Sequence, residues 1–397
     1  MTTAIIITFC SLLLVAYLFD LTSFRTKIPS VILLLILGWS VRQFTDFFEI
    51  QLPHFDPILP ILGTIGLILI VLEGSLELEL NRSKLWLIIK SFFGAMFTLV
   101  ASALLLAWLF NSFGDYSLRN CLINAIPFSI ISSAIAIPSA RNLGNASKEF
   151  VIYESSLSDI IGVLFFNFIA LNESYDSHSF GEFGIQLLII IVVSFIATIS
   201  LSYLLNKIDH HIKFVPIILL VILIYEVSKE FDLPGLIFIL LFGLFIGNLD
   251  ELKGFKWVEK FKPDELNKEV QKFKELTSEA TFLVRALFFL VFGYLLENAE
   301  ILNSETLVWA TGIVAGIFIL RTIQLKLSFL PLTPLLFVAP RGLITILLYL
   351  SIEPEQSIPL VNNSLIIQVI IFTALIMMLG LMSVKKETTP SPTETEF

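Results

Sequence analysis

Charge is scarce in this sequence. Asp, Glu, Lys and Arg make up only 15% of its 397 residues, whereas 56% are hydrophobic. Soluble chains carry about 25% charged residues, so most side chains here must face lipid or one another. This shortage excludes ordinary cytosolic enzymes and nucleic-acid-binding proteins, and it predicts no nucleic-acid partner. With two cysteines, Cys10 and Cys121, the chain also has no disulfide framework of the secreted kind.

Long apolar runs fill the sequence instead. A membrane-spanning helix needs roughly 20 mostly apolar residues, and charges, prolines and glycines divide the chain into thirteen candidate segments. They are Ala4–Phe19, Ile28–Phe44, Pro57–Leu80, Leu85–Phe110, Cys121–Ala140, Phe150–Leu171, Phe183–Leu205, Phe214–Val227, Leu233–Leu249, Ala280–Leu296, Thr306–Phe329, Thr333–Ile352 and Ile358–Val384. The sequence therefore predicts an all-α polytopic membrane protein with about 13 transmembrane helices in the lipid bilayer.

The basic residues predict how these segments are oriented. Nineteen of the 25 Lys and Arg fall in connections on one side, only three fall on the other, and three lie inside segments. The basic side is normally cytoplasmic, so we expect a multi-pass protein of the plasma (inner) membrane with its N-terminus outside and its C-terminus inside. Residues 1–384 form the predicted membrane domain, residues 250–279 a long inside connection, and residues 385–397 a disordered cytoplasmic tail.

Five charged residues lie near the centres of predicted segments, where a charge is costly unless it has a partner or a function. They are Glu73, Glu154, Asp159, Arg321 and Arg341. Arg285 and Glu77 lie nearer the predicted membrane edges, where long side chains can reach water. Three acids and two bases at membrane depth indicate an ion path rather than a purely structural bundle.

The sixth segment carries two of these acids. Glu154 and Asp159 are five residues apart, about 140° around a helix, so they face in different directions. Ser155 shares a face with Asp159, and Ser158 shares the neighbouring face with Glu154. Asp159 and the nearby hydroxyls form an oxygen-rich cluster that suits a hard monovalent cation or a proton. Glu154 is then free to pair with an arginine.

Prolines interrupt the fifth and twelfth segments. Pro127 and Pro138 flank Ser132 and Ser133, and Pro340 precedes Arg341 and Gly342. A proline within a helix removes a backbone hydrogen bond, and freed backbone groups at membrane depth are tolerated only beside protein or water. The two segments cross in opposite directions and are seven apart, as an inverted-topology repeat requires. We expect repeat one at about 1–171, a linker helix at about 183–205 and repeat two at about 214–384.

Five features fall in the order and spacing of one known family. They are Glu154-Ser155-Ser156-Leu157-Ser158-Asp159, Pro340-Arg341-Gly342, the stretch from Leu72 to Leu78 around Glu73, the stretch from Phe288 to Gly293, and Arg321. Together they resemble the monovalent cation:proton antiporter superfamily, most of all its NhaP-like sodium/proton exchanger branch. The resemblance spans nearly the whole chain.

This resemblance implies roles for single residues. Asp159 would be the carrier that binds the cation or the proton, Arg341 would pair with Glu154, and Glu73 would lie on the ion pathway, as in some members. Arg321 falls where members carry a basic residue, and would compensate the charge of the crossed helices or of Asp159. The resemblance also implies a homodimer, in which one helix bundle makes the interface and the other moves to give alternating access.

Two departures from the family pattern leave the transported ion open. Ser158 stands where an Asn or Asp usually precedes the carrier Asp, and the stretch from Ser132 to Ala136 replaces the Thr-Asp-Pro common in sodium exchangers. This stretch is closer to the Ser-Ser-Thr-Ala of a branch linked to potassium. The substrates are therefore Na⁺, K⁺ or Li⁺ together with H⁺, and no cofactor is predicted.

Each candidate residue also has a structural alternative. Asp159 could be a neutral buried acid bonded to Ser155. Ser132 and Ser133 could either ligate the ion or bond to carbonyls of their own helix, Glu73 could simply reach a water-filled cleft, and Arg321 could snorkel. For the whole protein, one carrier carboxylate with Ser158 in place of a second acid favours 1:1 electroneutral exchange. The alternatives are a cation channel and a non-transporting sensor. An intramembrane enzyme is disfavoured, because the sequence has no His-Glu-x-x-His, Gly-x-Gly-Asp or Gly-x-Ser-x-Gly motif.

Overall fold

The structure is a computed structural model that describes residues 2–26, 28–49, 55, 57–78, 80, 82–141, 143–172, 177–207, 213–250 and 263–383. Within these ranges the regular structure is helical. Two 3-10 turns lie at Arg82–Lys84 and Leu335–Phe337. The α-helices are α1 (Thr2–Thr26), α2 (Ser30–Phe47), α3 (Ile58–Glu77), α4 (Leu85–Phe113), α5 (Leu118–Ser129), α6 (Ser133–Ala140), α7 (Asn145–Leu171), α8 (Ser177–Lys207), α9 (Phe214–Glu230), α10 (Gly235–Gly247), α11 (Pro263–Leu295), α12 (Asn298–Ile301), α13 (Ser304–Leu327), α14 (Leu343–Leu350) and α15 (Asn363–Ser383).

The all-α polytopic fold class is confirmed. Nine helical stretches in the described part of the chain are long and apolar enough to cross a membrane, with α5 and α6 counted together. Shorter apolar helices lie within α1 and at α10. All thirteen predicted segments coincide with helical elements. The count of 13 crossings and the inverted repeat stay predictions.

Helix α11 is the clearest difference from the predicted segments. It begins at Pro263, well before the predicted start at Ala280. Its first half is rich in Lys and Glu, so a search for apolar runs reads it as a connection, although these residues are good helix formers. The expected connection is therefore largely helical from Pro263 onwards. Residues 251–262 and the predicted tail from residue 385 lie outside the described residues.

The helices pack as two bundles. The scaffold bundle contains α1–α3 and α8–α11, and the crossing bundle contains α4–α7 and α12–α15. Helix α3 joins them, because it packs on α10 and α11 on one side and on α14, α7 and α6 on the other. In the scaffold bundle, a Cβ atom at Gly38 or Gly293 would collide with backbone of the facing helix. The close approach of α2 and α11 therefore requires glycine at both positions.

Two broken elements cross inside the crossing bundle. Helix α5 ends at Ser129 and α6 begins at Ser133, while the second 3-10 turn ends at Phe337 and α14 begins at Leu343. The amide of Ser132 donates to the carbonyl of Pro340 (2.9 Å), which joins the two extended stretches. The predicted discontinuous, crossed helices are therefore confirmed. The first break falls between Pro127 and Pro138 rather than at either proline.

Candidate ion-binding site

Asp159 lies at the first break. Its side chain comes from α7, its relative exposure is 1%, and its Oδ2 accepts hydrogen bonds from both the amide (3.3 Å) and the hydroxyl of Ser133. Ser133 is the first residue of α6. The first amides of a helix have no partner within the helix and form its positive end. The fold therefore places the Asp159 carboxylate where an anion is stabilised.

The other oxygen of this carboxylate is free. Asp159 Oδ1 and Ser132 Oγ are both buried, and neither has a hydrogen-bond partner among the described residues. Ser156 Oγ, one helical turn before Asp159, is in the same condition. Buried polar atoms are normally satisfied, so the free oxygen of Asp159 can accept a cation, a proton or water. Sequence reasoning missed Ser156, because nothing local distinguishes it from its serine neighbours.

Ser155 and Ser158, both predicted to surround the ion, have other partners. Ser155 Oγ donates to the Val151 carbonyl of its own helix (2.7 Å), and Ser158 Oγ accepts from the amide of Ile131 (3.0 Å) in the first break. The alternative in which Ser155 donates to Asp159 is thus absent from this structure. Ser158 instead satisfies the backbone that the break exposes.

Glu154 pairs with Arg321, not with Arg341. Arg321, on α13, donates through Nη1 to Glu154 Oε1 in an ion pair whose two side chains are 0% and 1% exposed. Arg321 also donates to the carbonyls of Leu335 (3.2 Å) and Val338 (3.4 Å) at the second break. The predicted Glu154–Arg341 pair is wrong, and so is the snorkelling alternative for Arg321.

Arg341 instead bonds to backbone carbonyls. It donates to Phe128 (2.5 Å), Ser129 (3.4 Å) and Ala339 (2.9 Å), and it is completely buried. Phe128 and Ser129 are the last residues of α5, so the guanidinium compensates the negative end of that helix. Arg321 does the same for the 3-10 turn Leu335–Phe337. At each break, a buried arginine therefore donates to carbonyls at the end of the helical element that precedes the break.

Glu73 lies on the wall of a cavity that reaches the site. Its carboxylate accepts a hydrogen bond from Ser278 (2.6 Å). The cavity, of about 470 Å³, is lined by Glu73, Ser133 and Arg285 among others, and it lies on the basic side that we predict to be cytoplasmic. We call it the inner cavity. It leads to Ser133, whose hydroxyl holds Asp159.

A second cavity of about 500 Å³ lies on the opposite side. It is lined by Leu67, Val163 and Asn167 among others, and its lining includes none of Asp159, Ser132 and Ser133. We call it the outer cavity. Among Asp159, Ser132 and Ser133, Ser133 therefore borders the inner cavity, and none of the three borders the outer cavity.

A buried carboxylate between crossed, broken membrane helices is typical of secondary transporters. Residues 10–384 match the profile of the family described as sodium/hydrogen exchanger, transmembrane, and the chain belongs to this family. It is thus a multi-pass cation:proton antiporter, a transporter rather than an enzyme, with cations and protons as its substrates.

Solved structures of an archaeal antiporter share the fold. One is the structure at pH 8 of the sodium proton antiporter MjNhaP1 from Methanocaldococcus jannaschii. Its sequence is 19% identical to this chain, the TM-score is 0.70, and the match covers 96% of each chain. An electron-microscopy map of the same protein gives 16% identity and a TM-score of 0.70, with 98% of this chain and 100% of that chain covered. No curated protein sequence matches significantly.

Proposed function

We propose that this antiporter exchanges one monovalent cation for one proton, and that Asp159 carries both in turn. The observation that supports this best is the state of the Asp159 carboxylate. One oxygen is held by Ser133, and the other is buried with no hydrogen-bond partner in the part of the chain that the structure describes, as is Ser132 Oγ. A cation or a proton can satisfy that free oxygen, but not both at once.

The fixed charges near Asp159 favour the binding of one cation or one proton at a time. Glu154 and Arg321 neutralise each other, and Arg341 is held on carbonyls. With Asp159 ionised, these four side chains sum to zero charge, and either a proton or one cation raises the sum to +1. Two bound cations would place +2 in a desolvated site, which is costly at low dielectric. The stoichiometry is therefore one for one, and the exchange is electroneutral.

Access to the site alternates between the two cavities. Asp159, Ser132 and Ser133 belong to the crossing bundle, whereas Glu73 belongs to the scaffold bundle and faces the inner cavity. We propose that the crossing bundle moves against a fixed scaffold, which forms a homodimer in the plasma membrane with N-termini outside. Glu73 serves as an acid of the inner pathway that attracts cations towards Asp159.

The ligand set restricts the substrate to a monovalent cation without choosing among Na⁺, K⁺ and Li⁺. One carboxylate with serine hydroxyls offers hard oxygen ligands and a single negative charge. The test is transport by the purified protein in liposomes with an acidic interior and a fluorescent pH indicator inside. Each cation is added outside in turn, and alkalinisation of the interior reports exchange.

The variant Asp159→Asn decides the role of the carrier. We expect it to abolish alkalinisation with every cation, since an amide cannot release a proton. Asp46→Asn is the matched control, because Asp46 is an exposed acid at the other end of the scaffold, paired with Arg42. Exchange by Asp159→Asn at the wild-type rate would refute the carrier role. A cation flux that continues without proton movement would indicate a channel, and a rate that follows an imposed membrane potential would refute the 1:1 stoichiometry.

A further inference from the structure

Pro138 leaves one backbone carbonyl of α6 without its helical donor. In an α-helix the carbonyl of residue i accepts from the amide of residue i+4, and proline has no amide hydrogen. Pro138 lies inside α6, so the carbonyl of Ala134 has no i+4 donor. Ala134 directly follows Ser133, which holds Asp159. A carbonyl without its donor from the same helix therefore lies one residue from the candidate site.

Arg285 of the other bundle supplies a donor to this carbonyl. Its Nη1 lies 3.4 Å from the Ala134 carbonyl oxygen, and its Nη2 lies 3.5 Å from Asp20 Oδ1. Asp20 also accepts a hydrogen bond from Ser30 Oγ (3.2 Å). Arg285, Asp20 and Ser30 come from α11, α1 and α2 of the scaffold bundle. Three scaffold helices thus hold one guanidinium against the first turn of a half-helix in the crossing bundle.

We propose that Arg285 links the scaffold bundle to the crossing bundle and thereby stabilises the inward-open state. We call its contacts with Asp20 and with the Ala134 carbonyl the tie. Asp20, Arg285 and Ala134 all line the inner cavity, so the tie exists in the state that this structure shows. Movement of the crossing bundle would carry Ala134 away from Arg285 and leave both groups without this contact. A contact made in one of two states shifts the equilibrium towards that state. This inference rests on the proposed alternating access, and it assigns Arg285 a positioning role rather than contact with the ion.

The tie can be tested by the accessibility of cysteines placed in the two cavities. Cys10 and Cys121 are first replaced by serine. Ile152→Cys then reports the inner cavity, and Val163→Cys, at a position only 6% exposed, reports the outer cavity. Labelling rates with a membrane-impermeant maleimide are measured in membrane vesicles of each orientation. The ratio of inner to outer labelling follows the population of the inward-open state.

Arg285→Gln removes the guanidinium, and Pro138→Ala gives the Ala134 carbonyl a donor from its own helix. We expect Arg285→Gln to lower the labelling ratio by about threefold or more, as loss of a charged hydrogen bond and its ion pair predicts. Pro138→Ala should lower it in the same direction by less. If Arg285→Gln does not fold, Pro138→Ala alone provides the test, because it keeps every charge.

Lys213→Gln is the matched control. Lys213, at the start of α9, also forms an ion pair, with Glu269 of α11 (2.6 Å), and this pair lies within the scaffold bundle. The substitution should leave the ratio unchanged. Equal ratios in wild type, Arg285→Gln and Pro138→Ala would overturn the tie, while loss of exchange in Asp159→Asn would still support the carrier. A shifted ratio in a protein that exchanges nothing would support the tie and refute the proposed function.

Discussion

The two breaks of the crossing bundle are alike where the chain enters them and different where it leaves them. Before each break, a buried arginine donates to backbone carbonyls of the preceding helical element, Arg341 at the first break and Arg321 at the second. The amides that begin the helix after each break have different partners. The first break presents Ser133 to the carboxylate of Asp159, whereas at the second the amide of Gly342 donates to Thr345 Oγ1 (3.4 Å) of the same turn.

This difference distinguishes the arginines, whose charge is fixed, from Asp159, whose charge can change. A carbonyl end that is compensated by a permanently charged arginine cannot change its charge during transport. The second amide end is closed by a hydroxyl of its own helix. Only the first amide end meets a group that can gain or lose a proton. The fold therefore provides two similar breaks, and a single carboxylate makes one of them a carrier site.

The largest expected effect on stability comes from Arg321→Gln at the second break. It leaves Glu154 buried without its partner, and breaking such a pair costs about 3–5 kcal/mol. The midpoint of thermal unfolding in detergent, followed by size-exclusion chromatography, should fall well below wild type. Adding Glu154→Gln should recover part of the loss. No recovery in the double variant would contradict the pairing.

Arg341→Gln at the first break should cost less. It removes donors from the carbonyls of Phe128 and Ser129 but strands no acid, so we expect about 1–3 kcal/mol. The same unfolding assay measures it. Adding Glu154→Gln to Arg341→Gln is the informative comparison, because the second substitution should not restore any of the lost stability. A rescue as strong as for Arg321 would restore the pair predicted from the sequence.

Ser133→Ala changes transport rather than stability. It removes the hydroxyl that holds Asp159 but keeps the helix amide, so the carboxylate loses one of its two donors. We expect the KM for the cation to rise by about three- to tenfold, as for one hydrogen bond to a charged group. The liposome assay with varied cation concentration checks this. An unchanged KM would show that the hydroxyl does not position the carrier.

Thr345→Ala is the corresponding change at the second break, with the smallest expected effect. It removes a long hydrogen bond to the amide of Gly342, which should cost about 1 kcal/mol or less. The KM for the cation should equal that of wild type, because no exchangeable group lies there. A rise in KM like that of Ser133→Ala would mean that both breaks contribute to binding.

The fold was largely predictable from the sequence, because apolar length and the positions of prolines are local signals. The depth of Asp159 in its helix and the interruption near Ser132 and Ser133 followed in the same way. The partners of the buried arginines could not be predicted from the sequence. Helical spacing shows that Glu154 faces away from Asp159, but which arginine it meets depends on how α13 packs against the second break. Neither the carbonyls around Arg341 nor the contact of Arg285 with Ala134 has a signal in the sequence.

The central claim is that a cation and a proton compete for Asp159. Its most direct test is proton release by the purified protein in weak buffer, measured with a pH indicator while the transported cation is added. We predict the release of about one proton per chain at saturation, by linkage between the two ligands, and none from Asp159→Asn. Cation binding, measured by calorimetry, without proton release in the wild type would contradict the account, as would equal release by Asp159→Asn.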